Sequence, residues 1–218
     1  MLPKFADRRS AGHVLAGHLG HYANRPDVIV LALPRGGVPV AFEVAQTLRV
    51  PLDVFIVRKL GVPGHEELAM GAIASGGVRV LNPSVVEQLN IPKDIIDAVA
   101  GQELAELYRR EQLYREHRPP LQLSGRTVIL IDDGLATGAT MRAAVAAVQH
   151  HDAARIVVAV PVASVETCDE FAKEVDEIVC PLKPADFHAV GQWYENFAQT
   201  TDTEVRQLLA EALRPQPK

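Results

Sequence analysis

Five short runs of apolar, largely β-branched residues lie near positions 28–33, 54–57, 128–131, 156–160 and 178–180. VIVLAL, VILI and IVVAV do not alternate between apolar and polar residues, so they read as strands covered on both faces, as in a parallel sheet. Helical patterns separate most of them. Val40, Val44 and Leu48 fall in register after the first run, and Met141, Val145 and Val148 after the third. Strand–helix repetition of this kind builds an α/β, doubly wound, mainly parallel five-stranded sheet. In the common order 2-1-3-4-5 the switch point falls between the first and third strands, where ligands bind.

The loops leaving those two strands carry the chemistry. Thr127 to Thr140 reads TVILIDDGLATGAT: a strand, two acids (Asp132 and Asp133), then Gly134, Leu135, Ala136, Thr137, Gly138 and Ala139, and a helix after Thr140. Backbone N–H groups of such a loop, with the helix N-terminus behind them, attract an anion, and the Thr137 and Thr140 hydroxyls can donate to phosphate oxygens. Gly-Lys-Ser/Thr is missing, so this is not a triphosphate-binding P-loop. Carboxylates repel phosphate but accept hydrogen bonds from vicinal hydroxyls, which makes a sugar phosphate the natural ligand. After the first strand, Pro34-Arg35-Gly36-Gly37 forms a second strand–loop–helix anion site, whose guanidinium suits pyrophosphate oxygens.

DDGLATGAT resembles the phosphoribosyl-pyrophosphate (PRPP) loop of type I phosphoribosyltransferases, and the layout resembles a bacterial group of predicted phosphoribosyltransferases over nearly the whole chain. The resemblance implies transfer of the 5-phosphoribosyl group of PRPP to a nitrogenous acceptor with release of pyrophosphate. Asp132 and Asp133 would bind the ribose hydroxyls, and Gly134 to Thr140 the 5′-phosphate. Arg35, Gly36 and Gly37 would form the pyrophosphate loop, with a cis Arg35–Gly36 bond. Arg58 and Lys59 would open a flexible catalytic loop, mobile over Leu60–Glu67 and followed by a β-hairpin around Gly76-Gly77; Lys59 would reach the pyrophosphate. The catalytic set is then Arg35, Lys59, Asp132 and Asp133. Mg²⁺ is the expected cofactor, held mainly by PRPP and water, with no dedicated protein ligands. One domain is expected over residues 1–218, with a helical insertion at about 83–118, acting as a lid or as a contact in a homo-oligomer, and a C-terminal hood at about 181–213.

The hood segment 181–200 holds Phe187, His188, Trp193, Tyr194 and Phe197. Phe187 and Trp193 are candidates to stack on the acceptor base; a small satellite core is the alternative. Family members acting on 6-oxopurines carry an acid where this chain has Ala136, which argues against that acceptor class. The rival function is a PRPP-binding sensor without catalysis. A sugar-phosphate hydrolase is a weaker third reading, since no nucleophile or metal cluster supports it.

A net charge of −5 argues against a nucleic-acid partner. The sequence shows no membrane-spanning run and no signal-peptide pattern, so a cytoplasmic protein is expected, with Cys168 and Cys180 as reduced core residues. Asp7 should cap a helix reaching about Tyr22, with Ala11, Val14, Leu15 and Leu19 inward and His13, His18 and His21 as surface residues. Ser84-Val85-Val86-Glu87 reads as a capping box. A long helix from about Pro92 to His117 should carry the solvated pairs Glu106/Arg110 and Glu111/Arg115. Ser164 and Thr201 should cap later helices, and Arg214–Lys218 should be disordered.

Overall fold

The computed structural model describes residues 4–116 and 118–214; of the Arg214–Lys218 tail, only Arg214 lies among them. Helix α1 (Arg8–His18) starts at Asp7, whose carboxylate accepts from the Ser10 backbone N–H while the Ser10 hydroxyl accepts from that of Asp7. Its buried stripe is Ala11, Gly12, Leu15 and Ala16. Val14, expected inward, falls outside that stripe and is 45% exposed. The helix stops at His18, and a 3-10 turn (Gly20–Tyr22) carries Tyr22 into the core.

Strands β1 (Val28–Ala32), β2 (Leu52–Val54), β6 (Thr127–Ile131), β7 (Arg155–Ala159) and β8 (Glu177–Val179) form one parallel sheet in the order β2-β1-β6-β7-β8. Counting only these strands, the order is the expected 2-1-3-4-5. β1 and β6 pair in register from Val28↔Thr127 to Ala32↔Ile131. Alternate residues feed two cores. Val28, Val30, Ala32, Ile129 and Ile131 face α1, α2 (Gly37–Leu48), α4 (Lys93–Arg115) and α7 (Asp202–Ala212). Ile29, Leu31, Val128 and Leu130 face α5 (Ala139–Gln149) and α6 (Val165–Phe171). Burial of each Val, Leu or Ile side chain among them contributes about 1.5–3 kcal/mol, so both faces hold the sheet.

The segment expected as a strand at 54–57 is divided: β2 ends at Val54, the Ile56 N–H donates to Ser75 Oγ at 3.0 Å, and Val57 opens another sheet. That sheet is antiparallel, in the order β3 (Val57–Val62), β4 (His65–Ala74), β5 (Val78–Leu81). The expected mobile loop Leu60–Glu67 is therefore mostly strand, turning at Pro63-Gly64. A Pro-Gly pair serves a tight turn as readily as an open loop. The hairpin around Gly76-Gly77 forms as expected.

Helix α3 (Pro83–Gln88) begins one residue before the expected capping box. Asn82 is its N-cap with no side-chain cap bond, and Pro83 takes the first helical position, where its missing N–H costs nothing. On α4, Glu106 pairs with Arg110 at 2.7 Å. Arg115 does not lie on the solvated face with Glu111. It is buried and donates to both carboxylate oxygens of Asp53 on β2 at 3.2 Å, and Arg118 adds a contact at 3.4 Å. The C-terminal end of α4 is thus fastened to the edge of the main sheet. Ser164 and Thr201 cap α6 and α7 as expected, and Cys168 and Cys180 are buried free thiols. No helix among the described residues is long and apolar enough to cross a membrane.

Candidate functional site

Parallel pairing of β1 with β6 brings the two loops together at the C-terminal ends of the strands. The Leu33 N–H donates to the Ile131 carbonyl at 2.8 Å, continuing the sheet one residue past β1. Gly36 and Gly37 then press against the other loop. A Cβ on Gly36 would stand 2.1 Å from Asp133 Oδ2, and one on Gly37 would stand 2.6 Å from the Ile131 carbonyl oxygen. These glycines therefore serve the contact between the loops. The cis bond lies at Pro34–Arg35, one residue before the expected Arg35–Gly36, and Gly36 is the N-cap of α2.

Asp132 Oδ1 accepts from the Asp133 backbone N–H at 2.8 Å, and Asp133 Oδ2 accepts from Arg8 Nε at 2.8 Å. Among the described residues, neither Asp132 Oδ2 nor Asp133 Oδ1 has a hydrogen-bond partner. Each acid thus keeps one oxygen for an outside donor. Burial, with the Asp133 charge alongside, pushes the Asp132 carboxyl well above the usual carboxylate range. Burial raises Asp133 too, against the opposing pull of Arg8.

Beyond the acids, Leu135 turns into the core and its N–H donates to the Val162 carbonyl at 3.0 Å, so its side chain is structural. Gly134 lies against Val190 and Val162. Ala136, Thr137, Ala139 and Thr140 are exposed. Gly138 is the N-cap of the eleven-residue α5 with φ +71°, a left-handed conformation that suits glycine, and a Cβ there would meet the Phe171 ring at 2.6 Å. The loop is braced from α6 and α5: Thr167 Oγ1 donates to the Ala136 carbonyl at 3.2 Å, and Arg142 to that of Thr137 at 2.8 Å.

The remaining candidates divide. Lys59 joins Ala139 in lining a cleft of about 410 Å³ between the antiparallel sheet and α5, which brings it to the end of the 132–140 loop. Arg58 instead pairs with Glu103 on α4 at 2.6 Å. Arg35 NH1 stands 3.6 Å from Asp202 Oδ1 at the start of α7, an oxygen that also accepts from Tyr114 on α4 at 2.5 Å. Burial and that bond push the Tyr114 hydroxyl up to about 12. Phe187 and Trp193 are partly buried and pack with Phe5, Leu182 and Val190 around Ala11, Val162 and Tyr194, and Trp193 Nε1 is buried with no hydrogen-bond partner among the described residues.

Sequence reasoning missed Arg8 and the anchoring role of Tyr194. Arg8 also donates to the Ala198 carbonyl at 2.6 Å and lies 4.0 Å over the Phe197 ring. The Tyr194 hydroxyl donates to the Asp133 carbonyl at 2.5 Å. Arg8 and Asp133 are 125 residues apart, and no local pattern marks their pairing.

The model of the phosphoribosyl transferase domain family matches residues 64–192, more than half of the chain. A Mycobacterium tuberculosis protein (strain H37Rv) named "Putative phosphoribosyl transferase Rv0571c" is 49% identical over 210 residues, 96% of this chain and 47% of that protein. The chain therefore spans about half the length of the curated relatives it matches. The crystal structure of TT1426 from Thermus thermophilus has 42% identity and a TM-score of 0.85, covering 95% of this chain and 98% of that one. With the family model matched over the candidate loop at 132–140 and a crystal structure aligned along nearly the whole fold, the chain belongs to the phosphoribosyltransferase family.

Proposed function

We propose that the chain binds PRPP across the β1–β6 crevice and transfers its 5-phosphoribosyl group to a nitrogen nucleophile. The acceptor nitrogen forms a bond to the anomeric carbon, the bond from that carbon to the pyrophosphate oxygen breaks, and the acceptor gives up a proton. The observation that carries this reading is that two consecutive acids at the switch point, Asp132 and Asp133, each keep one carboxylate oxygen without a partner among the described residues. Two adjacent acceptors next to a loop at a helix N-terminus match two vicinal hydroxyls next to a phosphate.

In this reading, exposed Thr137 and Thr140 and the backbone leading into α5 bind the 5′-phosphate. The Arg35 guanidinium and the Lys59 ammonium stabilise charge on the departing pyrophosphate. Bound Mg²⁺ would neutralise part of that charge. It would fit this crevice as a hydrated ion carried by the substrate, since the nearby carboxylate oxygens are hard and can accept hydrogen bonds from its water shell. Ala136 supports an acceptor other than a 6-oxopurine, since its methyl group cannot exchange a proton with a purine ring.

Titration calorimetry with Mg–PRPP, ribose 5-phosphate and 2-deoxyribose 5-phosphate tests the reading. The expected result is saturable binding of the first two, and a loss of about tenfold or more for the deoxy sugar, which leaves a buried acceptor unpaired. Equal affinity for both pentose phosphates would remove the carboxylates from the ribose site.

A further inference from the structure

Arg8 lies outside residues 64–192, the part of the chain that the family model matches, and far in sequence from both loops. Its side chain is 11% exposed. One guanidinium makes three contacts there: Nε to Asp133 Oδ2 at 2.8 Å, NH1 to the Ala198 carbonyl at 2.6 Å, and its plane over the Phe197 ring at 4.0 Å. Ala198 and Phe197 belong to the same C-terminal segment whose Tyr194 hydroxyl donates to the Asp133 carbonyl. Asp133 is thus gripped at its side chain from α1 and at its backbone from the 3-10 turn (Val190–Trp193) and its C-cap Tyr194. The charged and titratable groups facing its carboxyl among the described residues are Arg8, Asp132 and Tyr194. The 34–37 loop meets it with the backbone of Gly36.

We infer that Arg8 is a positioning residue. It fixes one oxygen of Asp133 so that the other points to a ribose hydroxyl, keeps that carboxyl ionised beside Asp132, and ties it to the segment ending in Phe197 and Ala198. The physical reason is that two adjacent carboxyls withdrawn from water resist ionising together unless a cation stands against one of them. A planar fork that bonds two oxygens and stacks on a ring does this in a fixed orientation, which an ammonium does not. The inference rests on the PRPP reading and deepens it.

The test is the affinity for Mg–PRPP as a function of pH in the wild type, Arg8→Gln and Arg8→Lys, with melting temperature followed in parallel. Arg8→Gln is expected to bind about ten- to a hundredfold more weakly near neutrality, the scale of one lost hydrogen bond to a charged group. Its affinity should also fall off at a higher pH than that of the wild type as acid is added, because the cation that most opposes protonation of Asp133 is then gone. Arg8→Lys should bind about three- to tenfold more weakly with its acid limb close to the wild-type position. A uniform weakening with an unmoved acid limb in Arg8→Gln would make Arg8 merely structural and overturn the inference. Unchanged affinity would overturn it too, with the PRPP reading intact. Absence of PRPP binding by the wild type would remove both. Where Arg8→Gln does not fold, Arg8→Lys decides alone: wild-type affinity in that variant contradicts the orienting role.

Discussion

Gly36 and Asp133 are in van der Waals contact across the switch point, so close that a Cβ on Gly36 would stand 2.1 Å from Asp133 Oδ2. The two candidate loops therefore interlock. Gly36 has φ −60°, so any residue suits its backbone conformation and only space demands glycine. Gly36→Ala should displace the Asp133 carboxylate or part the loops. Overpacking at such a contact costs about 1–3 kcal/mol. Denaturant unfolding should show that loss, and calorimetry should show PRPP affinity reduced by more than the stability change alone accounts for. Full affinity in this variant would mean that the loop contact is irrelevant to the ligand.

Arg35 is half exposed, and its partner Asp202 stands at 3.6 Å. An exposed pair of that length contributes little stability, about 0–1 kcal/mol. Arg35→Ala should therefore melt within about 2 °C of the wild type while losing about tenfold or more in affinity for PRPP and for pyrophosphate. Binding of ribose 5-phosphate, which has no pyrophosphate, should hardly change. Comparing the three ligands in one variant separates pyrophosphate recognition from general damage to the crevice.

Asp132 carries a carboxyl whose folded-state protonation is favoured by burial and by Asp133. With the folded pKa above the unfolded one, the folded state binds more protons in the window between them, so stability falls as pH rises through that window. Above it the charged carboxyl is a standing cost to the fold. Asp132→Asn removes that cost and keeps an oxygen to accept from the Asp133 N–H. It should raise the melting temperature by about 2–6 °C at neutral pH, with the gain vanishing below the unfolded pKa, and it should lose PRPP affinity. A destabilised Asp132→Asn at neutral pH would contradict the electrostatic account of this acid.

Buried Asp53 holds both Arg115 and Arg118. Asp53→Ala leaves two largely buried guanidinium groups without their anion, and breaking a buried pair in this way costs about 3–5 kcal/mol. The expected result is a large drop in unfolding free energy by denaturant titration, partly relieved when Arg115→Met is added. A loss no greater than that of an exposed pair would show that α4 is held to β2 by apolar contacts alone.

How far the sequence led is clear from particular residues. Four of the five parallel strands and both crevice loops are legible because unbroken β-branched runs and glycine-bearing turns are local signals, whereas the second strand lies at Leu52–Val54 and shares only Val54 with the expected 54–57. Leu60–Glu67 was misread because Pro63-Gly64 hides a strand turn inside a segment of mixed polarity. Val14 falls outside the buried stripe because the position of α2, which periodicity along α1 does not report, sets that stripe. Arg8 with Asp133, Arg115 with Asp53 and Arg35 with Asp202 are tertiary pairings between distant segments, which neither periodicity nor capping reports. The Phe187 and Trp193 segment offers two readings in the sequence, and the contacts with Phe5 and Val162, distant in the chain, show a packing role that leaves Trp193 Nε1 without a partner among the described residues.

The measurement that bears most directly on the central claim is pyrophosphate release from Mg–PRPP, across a panel of purine, pyrimidine, pyridine and simple amine acceptors, with Asp132→Asn assayed beside the wild type. The account predicts that one acceptor class raises release above the acceptor-free background in the wild type, and that Asp132→Asn loses at least about tenfold of that rate. Release that no acceptor stimulates, from a wild type that binds PRPP tightly, would contradict the transfer reaction and assign the crevice to PRPP sensing.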